Sequence, residues 1–138
     1  MLFYLTVDKI NLETRAVVPQ HFTRVKRSGI TFFNAETETW LKKNLSYGDI
    51  KEGKLFSFTY QKWGKMWRTV SKAAGVKISP QVLRVWFSME MGKQGIPDRF
   101  VDIFQGRAPR SVLAKHYTAK GEEMLERIYE KANLTIIT

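Results

Sequence analysis

The chain contains no cysteine, which excludes a disulfide framework, a thiolate zinc site and a cysteine nucleophile. Histidine is almost as scarce. His21 and His116 are the only two, too few for a histidine-rich metal centre. No apolar run approaches the roughly 20 residues needed to cross a bilayer, so no membrane partner is expected. The opening MLFYLTV is too short for a secretory leader and has no cationic segment before it. These absences fit a cytoplasmic setting. Two nucleotide and metalloprotease signatures are also missing: no GxxxxGK[ST] loop and no HExxH helix occurs. Acidic residues are in short supply, 13 against 23 Lys and Arg, leaving a net charge of +10. An excess of that size in a small chain points to a polyanionic partner, because each phosphate neutralised by Lys or Arg releases a condensed counterion. The acids gather near residues 36–38 and 122–130, away from the basic middle.

What is present describes an ordinary folded chain. It is 43% hydrophobic and 26% charged, which argues against disorder. Its 138 residues are enough for one domain and one core. FYLTV, TRAVV and ITFF are rich in β-branched and aromatic residues. Turn residues separate them at 11–13 and 27–29, predicting a small antiparallel sheet of two or three strands.

The remainder has helical periodicity. Asn34 is a cap for a helix from Ala35, with Trp40, Leu41 and Leu45 on one face and a stop at Tyr47-Gly48-Asp49. A second helix is expected over Ser57–Ala74. Its Trp63, Met66, Trp67, Val70 and Ala74 read as core, with base stacking as the other use of the tryptophans. Ser79-Pro80 starts a third, with Val82, Leu83, Trp86, Phe87 and Met89 as its apolar stripe. A short helix buries Phe100, Val101, Ile103 and Phe104. A last one, near Lys120–Ala132, turns Met124, Leu125, Ile128 and Ala132 inward, and LTIIT is a strand or an arm. The fold class expected is therefore α+β, a small sheet followed by a mostly helical body.

Three chemistries remain open on residue types. Asp98 and Asp102 could hold magnesium, but no third acid accompanies them. An RNA-binding or ribosome-associated domain would explain the charge and the aromatics. The third is a phosphodiester site. In FQGRAPRSVLAKHYT, Gly106, Arg107, Arg110, Lys115, His116 and Tyr117 crowd together, and Arg84 lies on a helix upstream. A tyrosine hydroxyl, with a pKa near 10, is a poor nucleophile unless cations stabilise the charge building on the attacked phosphate. The planar guanidinium fork suits that task.

The stretch ISPQVLRVWFSMEMGKQGIPDRFVDIFQGRAPRSVLAKHYTA resembles the catalytic end of tyrosine recombinases, the phage integrase family. Gln81-Val82-Leu83-Arg84 matches the His/Lys-x-x-Arg signature, Gln105-Gly106-Arg107 the Leu-Gly-His step, and Tyr117 the tyrosine roughly ten residues later. QGRAPRSVLAKHY looks closest to integrases of spindle-shaped archaeal viruses and their chromosomal relatives. The resemblance covers about residues 4–132. It implies cofactor-free and metal-free recombination of double-stranded DNA through a 3′-phosphotyrosyl intermediate. Tyr117 would be the nucleophile and Arg84 and Arg107 the phosphate ligands. Lys26, in the hairpin FTRVKRSGITFF, would be the general acid, with Arg24 and Arg27 as competitors for that place. Arg24, Arg27, Arg110 and Lys115 are further DNA contacts.

Two departures accompany it. Gln81 and Arg107 stand where the family carries His or Lys and His, so hydrogen bonding and charge are kept while acid-base function is lost. The family's first arginine, on a helix before the first strand, has no match, since Arg15 lies in another element. The expectation is a catalytic domain cut after its first motif, either the C-terminal remnant of an integrase that recombines within its own gene or a deliberate truncation. Implied partners are a homo-tetramer on DNA or an N-terminal integrase fragment. The alternative is a non-catalytic basic DNA-binding module of the same fold.

Overall fold

The computed structural model describes residues 4–18, 29–108 and 119–136. Three two-residue strands, β1 (Ile10–Asn11), β2 (Ala16–Val17) and β3 (Thr31–Phe32), form an antiparallel sheet in the order β1-β2-β3. Ile10 faces Val17 and Asn11 faces Ala16, while Ala16 faces Phe32 and Val17 faces Thr31. The Asn11 side-chain oxygen accepts from the amides of Glu13 and Thr14 at 2.9 and 3.1 Å, an Asx turn that fixes the β1–β2 register. Among the described residues five helices follow: α1 (Ala35–Tyr47), α2 (Tyr60–Ala74), α3 (Pro80–Lys93), α4 (Asp98–Phe104) and α5 (Ala119–Ala132). The fold is α+β.

The first strand is not FYLTV. A 3-10 turn over Val7–Lys9 separates that stretch from the sheet. Its backbone turns instead to the segment after α1, through a Thr6–Lys54 bridge and a bond from the Leu55 amide to the Leu5 carbonyl at 2.9 Å. Leu5 and Leu55 are both buried there. TRAVV shortens to β2 because the turn uses Thr14 and Arg15.

α1 begins where the Asn34 oxygen accepts the Thr37 amide at 2.8 Å. The other end of the same side chain donates to the Leu134 carbonyl at 2.5 Å, and Glu36 accepts the Ile136 amide at 3.0 Å. Residues 134–136 are thus an arm fastened to the start of α1, not a strand. Glu38 accepts hydrogen bonds from Lys42 and Arg15, and these bonds hold its carboxyl below the ordinary range.

The core lies where α4 packs on β3, α3 and α5. All four apolar residues expected of α4 are buried, with Met91 of α3 and Leu125 and Ala132 of α5. Phe104 is edge-on to Phe32 (centroids 6.1 Å) and to Tyr129 (5.2 Å). Other expected faces are corrected. Of the stripe expected on α3, Phe87 packs against the core, but Val82, Leu83 and Met89 are 43%, 41% and 58% exposed, and Met91, one turn after Phe87, is the buried residue. Met124 is exposed, and Tyr129 packs in its stead.

The largest correction concerns α2. Thr59 caps it, so it starts at Tyr60 and not Ser57, and it ends at Gly75, whose φ of 70° needs no Cβ. It buries no residue. Trp63 is stacked on Phe58 at 5.2 Å and meets Trp67 edge-on at 5.1 Å, so the two tryptophans pack on local aromatics and not on the core, while Met66, Val70 and Ala74 of the same stripe stay exposed.

Burial pushes the Tyr129 phenol up to about 12. Below pH 10 the phenol is neutral in both folded and unfolded chains and adds no pH dependence. Between pH 10 and 12 only the unfolded chain ionises, so stability falls as pH rises through that window, by on the order of 3 kcal/mol in total. Chemical denaturation across that window should show a shallower loss for Tyr129→Phe than for the parent. Parallel curves would mean that the phenol ionises equally well in the folded protein.

Candidate functional site

Ser79 accepts the Val82 amide at 3.3 Å and Pro80 occupies the first helical position, which fixes the start of α3. Gln81, Arg84 and Ser88 then fall at i, i+3 and i+7, one face of the helix. Gln81 and Arg84 are exposed.

The second half of the site comes from the end of α4. Gly106 has φ of 70°, and the turn is closed by bonds from the Gly106 amide to Ile103 (3.0 Å) and from the Arg107 amide to Asp102 (2.8 Å). This turn brings Gln105 and Arg107 to the exposed face of α3. The Arg84 guanidinium donates to the Gln105 carbonyl at 3.3 Å. The Gln105 amide nitrogen donates back to the Arg84 carbonyl at 2.9 Å and to Ser88 Oγ at 3.1 Å. The Gln105 amide oxygen accepts from Arg107, which also reaches Ser88 Oγ at 3.4 Å. Two guanidinium groups 23 positions apart are therefore tied to one residue. Its backbone carbonyl takes the Arg84 guanidinium and its side-chain oxygen takes that of Arg107, while the side-chain nitrogen is left to donate to the Arg84 carbonyl and Ser88.

Arg107 also faces Asp102 at 3.5 Å, with both side chains about half exposed (53% and 49%). Such a pair is worth little and yields readily to another anion. Among the described residues no group of three or more His, Asp or Glu could hold a metal ion.

Beside Arg84 and Gln105 opens a cleft of about 260 Å³, with Gly29 and Thr31 on the strand side and Phe87, Phe104 and Tyr129 as its aromatic floor. An apolar floor lowers the local dielectric and strengthens any contact made to the guanidinium. A larger cleft of about 870 Å³ lies against β1 and α5. Among the described residues Asp8, Glu13, Glu122, Glu123 and Glu126 line it with Lys9 as the single cation, and the sign of that lining repels phosphate. Charge, not volume, selects the smaller cleft.

Of the candidate residues read from the sequence, Gln81, Arg84 and Arg107 lie in the described structure, and the latter two share a network. Tyr117, Lys26, Arg24, Arg27, Arg110 and Lys115 lie outside the described residues. Ser88 and the side-chain role of Gln105 were not anticipated. Ser88, four residues after Arg84, had a spacing signal; Gln105 had none. Tyr129 is the tyrosine that lines the cleft, but its raised pKa and its packing against Phe32, Phe87 and Phe104 make it a wall.

A family model described as archaeal phage integrase matches residues 39–132, more than half of the chain, a span that includes Arg84, Arg107 and Tyr117. Comparison with curated proteins and with solved structures gave no match.

Replacing Gln105 with Met keeps its length and removes both ends of the amide. The Nε–Hε signal of Arg107, which loses its acceptor, should then shift in a nitrogen–proton correlation spectrum, while that of Arg84, bonded to the backbone carbonyl, should stay. The melting temperature should fall by no more than a few degrees, since each exposed bond contributes about 0.5–1.5 kcal/mol. An unmoved Arg107 signal would show that the Gln105 side chain does not hold that guanidinium.

Proposed function

The chain belongs to the archaeal phage integrase family, and from that premise we propose that it cuts and rejoins DNA through Tyr117. Its role is in DNA integration and recombination. The observation that carries the finer reading is the joint anchoring on Gln105 of Arg107 and of Arg84, which lines an aromatic-floored cleft together with Gln105.

In this reading the Tyr117 oxygen attacks a DNA phosphorus, and the bond from phosphorus to the 5′-oxygen breaks. The phenolic proton passes to solvent water as the new ester forms, and the departing 5′-oxygen takes a proton from Lys26; Arg24 or Arg27 in that place would supply charge alone, because a guanidinium does not deprotonate. Arg84 and Arg107 bind the non-bridging oxygens, where negative charge grows in the transition state. Gln81, one turn before Arg84, adds a neutral hydrogen-bond donor. The product is a 3′-phosphotyrosyl link and a free 5′-hydroxyl. A 5′-hydroxyl from another strand reverses the step, and one phosphodiester has been exchanged for another without a hydrolytic loss of bond energy. Assembly on duplex DNA as a homo-tetramer, or with an N-terminal integrase fragment carrying the family's first arginine, belongs to the same proposal.

The test is a suicide duplex nicked beside the cut site, incubated in chelator. Covalent protein should appear on the 3′ end with the parent chain and with Tyr129→Phe, and should vanish with Tyr117→Phe. Arg84→Ala should slow its formation by about 10²–10³. If the parent chain forms little product alone, an added N-terminal integrase fragment should raise it. Covalent product that survives Tyr117→Phe would misassign the nucleophile. DNA binding with no covalent product under either condition would favour a non-catalytic DNA-binding module.

A further inference from the structure

Residues 53–89 contain no Asp or Glu, while Lys54, Lys62, Lys65, Arg68, Lys72, Lys77 and Arg84 fall within them. Four of these cations belong to α2. Lys65, Arg68 and Lys72 lie at i, i+3 and i+7, a single face, and Lys62 extends it by nearly a turn. The opposite face carries Trp63, Trp67, Val70 and Ala74. All four cations are exposed.

Neighbouring helices treat their lysines differently. α1 pairs Lys42 with Glu38 at 2.5 Å, and α3 pairs Lys93 with Glu90 at 2.6 Å. Among the described residues α2 supplies no carboxylate to its cations, and no ion pair reaches them from elsewhere. Like charges three and four residues apart destabilise an isolated helix, and α2 gains no compensating core burial. A row of uncompensated cations on an otherwise lightly packed helix is a surface built for an anion outside the chain.

We propose that the Lys62–Lys65–Arg68–Lys72 face of α2 lies along the phosphate backbone of duplex DNA, as a contact separate from the Arg84–Arg107 cleft. This rests on the DNA-integration reading and names where the duplex is held. The helix rises about 1.5 Å per residue, so Lys65 and Lys72 are about 10 Å apart along its axis. That matches roughly three phosphates of one strand at about 3.4 Å of rise each.

Two other occupants fit less well. The acidic side of α5 on a second copy offers Glu122, Glu123, Glu126 and Glu130, but Lys120, Arg127 and Lys131 interleave with them, and Arg127 and Arg15 already face Glu123 and Glu130. A membrane surface would take the apolar face of a basic amphipathic helix. On α2 the two largest groups of that face, Trp63 and Trp67, are engaged with Phe58 and with each other, which leaves Met66, Val70 and Ala74 as its exposed part.

The experiment is a fluorescence anisotropy titration of the full chain with a short labelled duplex, repeated from about 50 to 200 mM salt. Changing Lys62, Lys65, Arg68 and Lys72 together to Gln should weaken binding at low salt at least tenfold. It should also flatten the slope of log affinity against log salt by about 0.9 for each phosphate no longer neutralised, so by roughly 2 to 4. Exchanging the three lysines for Arg, and Arg68 for Lys, should keep both at the parent values. Changing Lys9, Lys51 and Lys93 to Gln, a similar loss of charge from sites that already have carboxylate partners, should leave the slope unchanged. A parent-like slope in the Gln variant, with the parent chain binding DNA, overturns the proposal and leaves the integrase reading intact. No DNA binding by the parent at low salt overturns both. Binding to anionic phosphatidylserine vesicles, or self-association in sedimentation, that depends on these four residues while DNA binding does not, would assign the face to that partner and overturn the proposal.

Discussion

Phe104 is the residue on which the geometry depends. Its ring sits edge-on to Phe32 of the sheet and to Tyr129 of α5, while its carbonyl accepts the Thr31 hydroxyl at 3.0 Å. One residue thus joins the sheet, the short helix α4 and the last helix. The next three residues in the chain are Gln105, Gly106 and Arg107. The position of the arginine network is therefore inherited from core packing, and a ring that forms the floor of the cleft also fixes its rim. Little of the site depends on long flexible segments among the described residues. Gln105 and Arg107 follow a buried helix directly, and Arg84 lies one turn before Phe87 and Ser88 on a helix whose other side ends at buried Met91.

Local chemistry was legible in the sequence where it was self-contained. Asn34 and Ser79-Pro80 announce helix starts because a cap needs only its own next three residues. Phe100, Val101, Ile103 and Phe104 announce burial because so short a helix with so many large apolar groups has no other stable place. The same periodicity misled at α2. It shows that a helix has an apolar face, and is silent on whether the covering groups come from the core or from neighbours such as Phe58. FYLTV misled in a related way, since strand propensity does not choose a partner and the Val7–Lys9 turn redirects it. In the site, Arg84 and Arg107 were legible through the family pattern, whereas their common dependence on Gln105 includes a contact across 21 residues that no spacing rule encodes.

Charge is sorted as well as abundant. Acids concentrate on α5 and around the larger cleft, and partly neutralise cations there. The smaller cleft and α2 have almost none. The sorting makes the net charge an underestimate of the local field near Arg84. An approaching polyanion is drawn to one side of the molecule and turned away from the other, so orientation begins before contact.

Arg107 is held by Gln105, Ser88 and Asp102 before any ligand arrives. An arginine free in solvent carries about 2 kcal/mol of rotamer entropy, which a ligand would otherwise have to remove. Here much of that loss occurs during folding. The half-exposed Asp102 serves as a placeholder, occupying the guanidinium without binding it tightly. An anion that reached Arg107 would exchange one partner for another on a side chain already aimed, with less rotamer entropy left to remove.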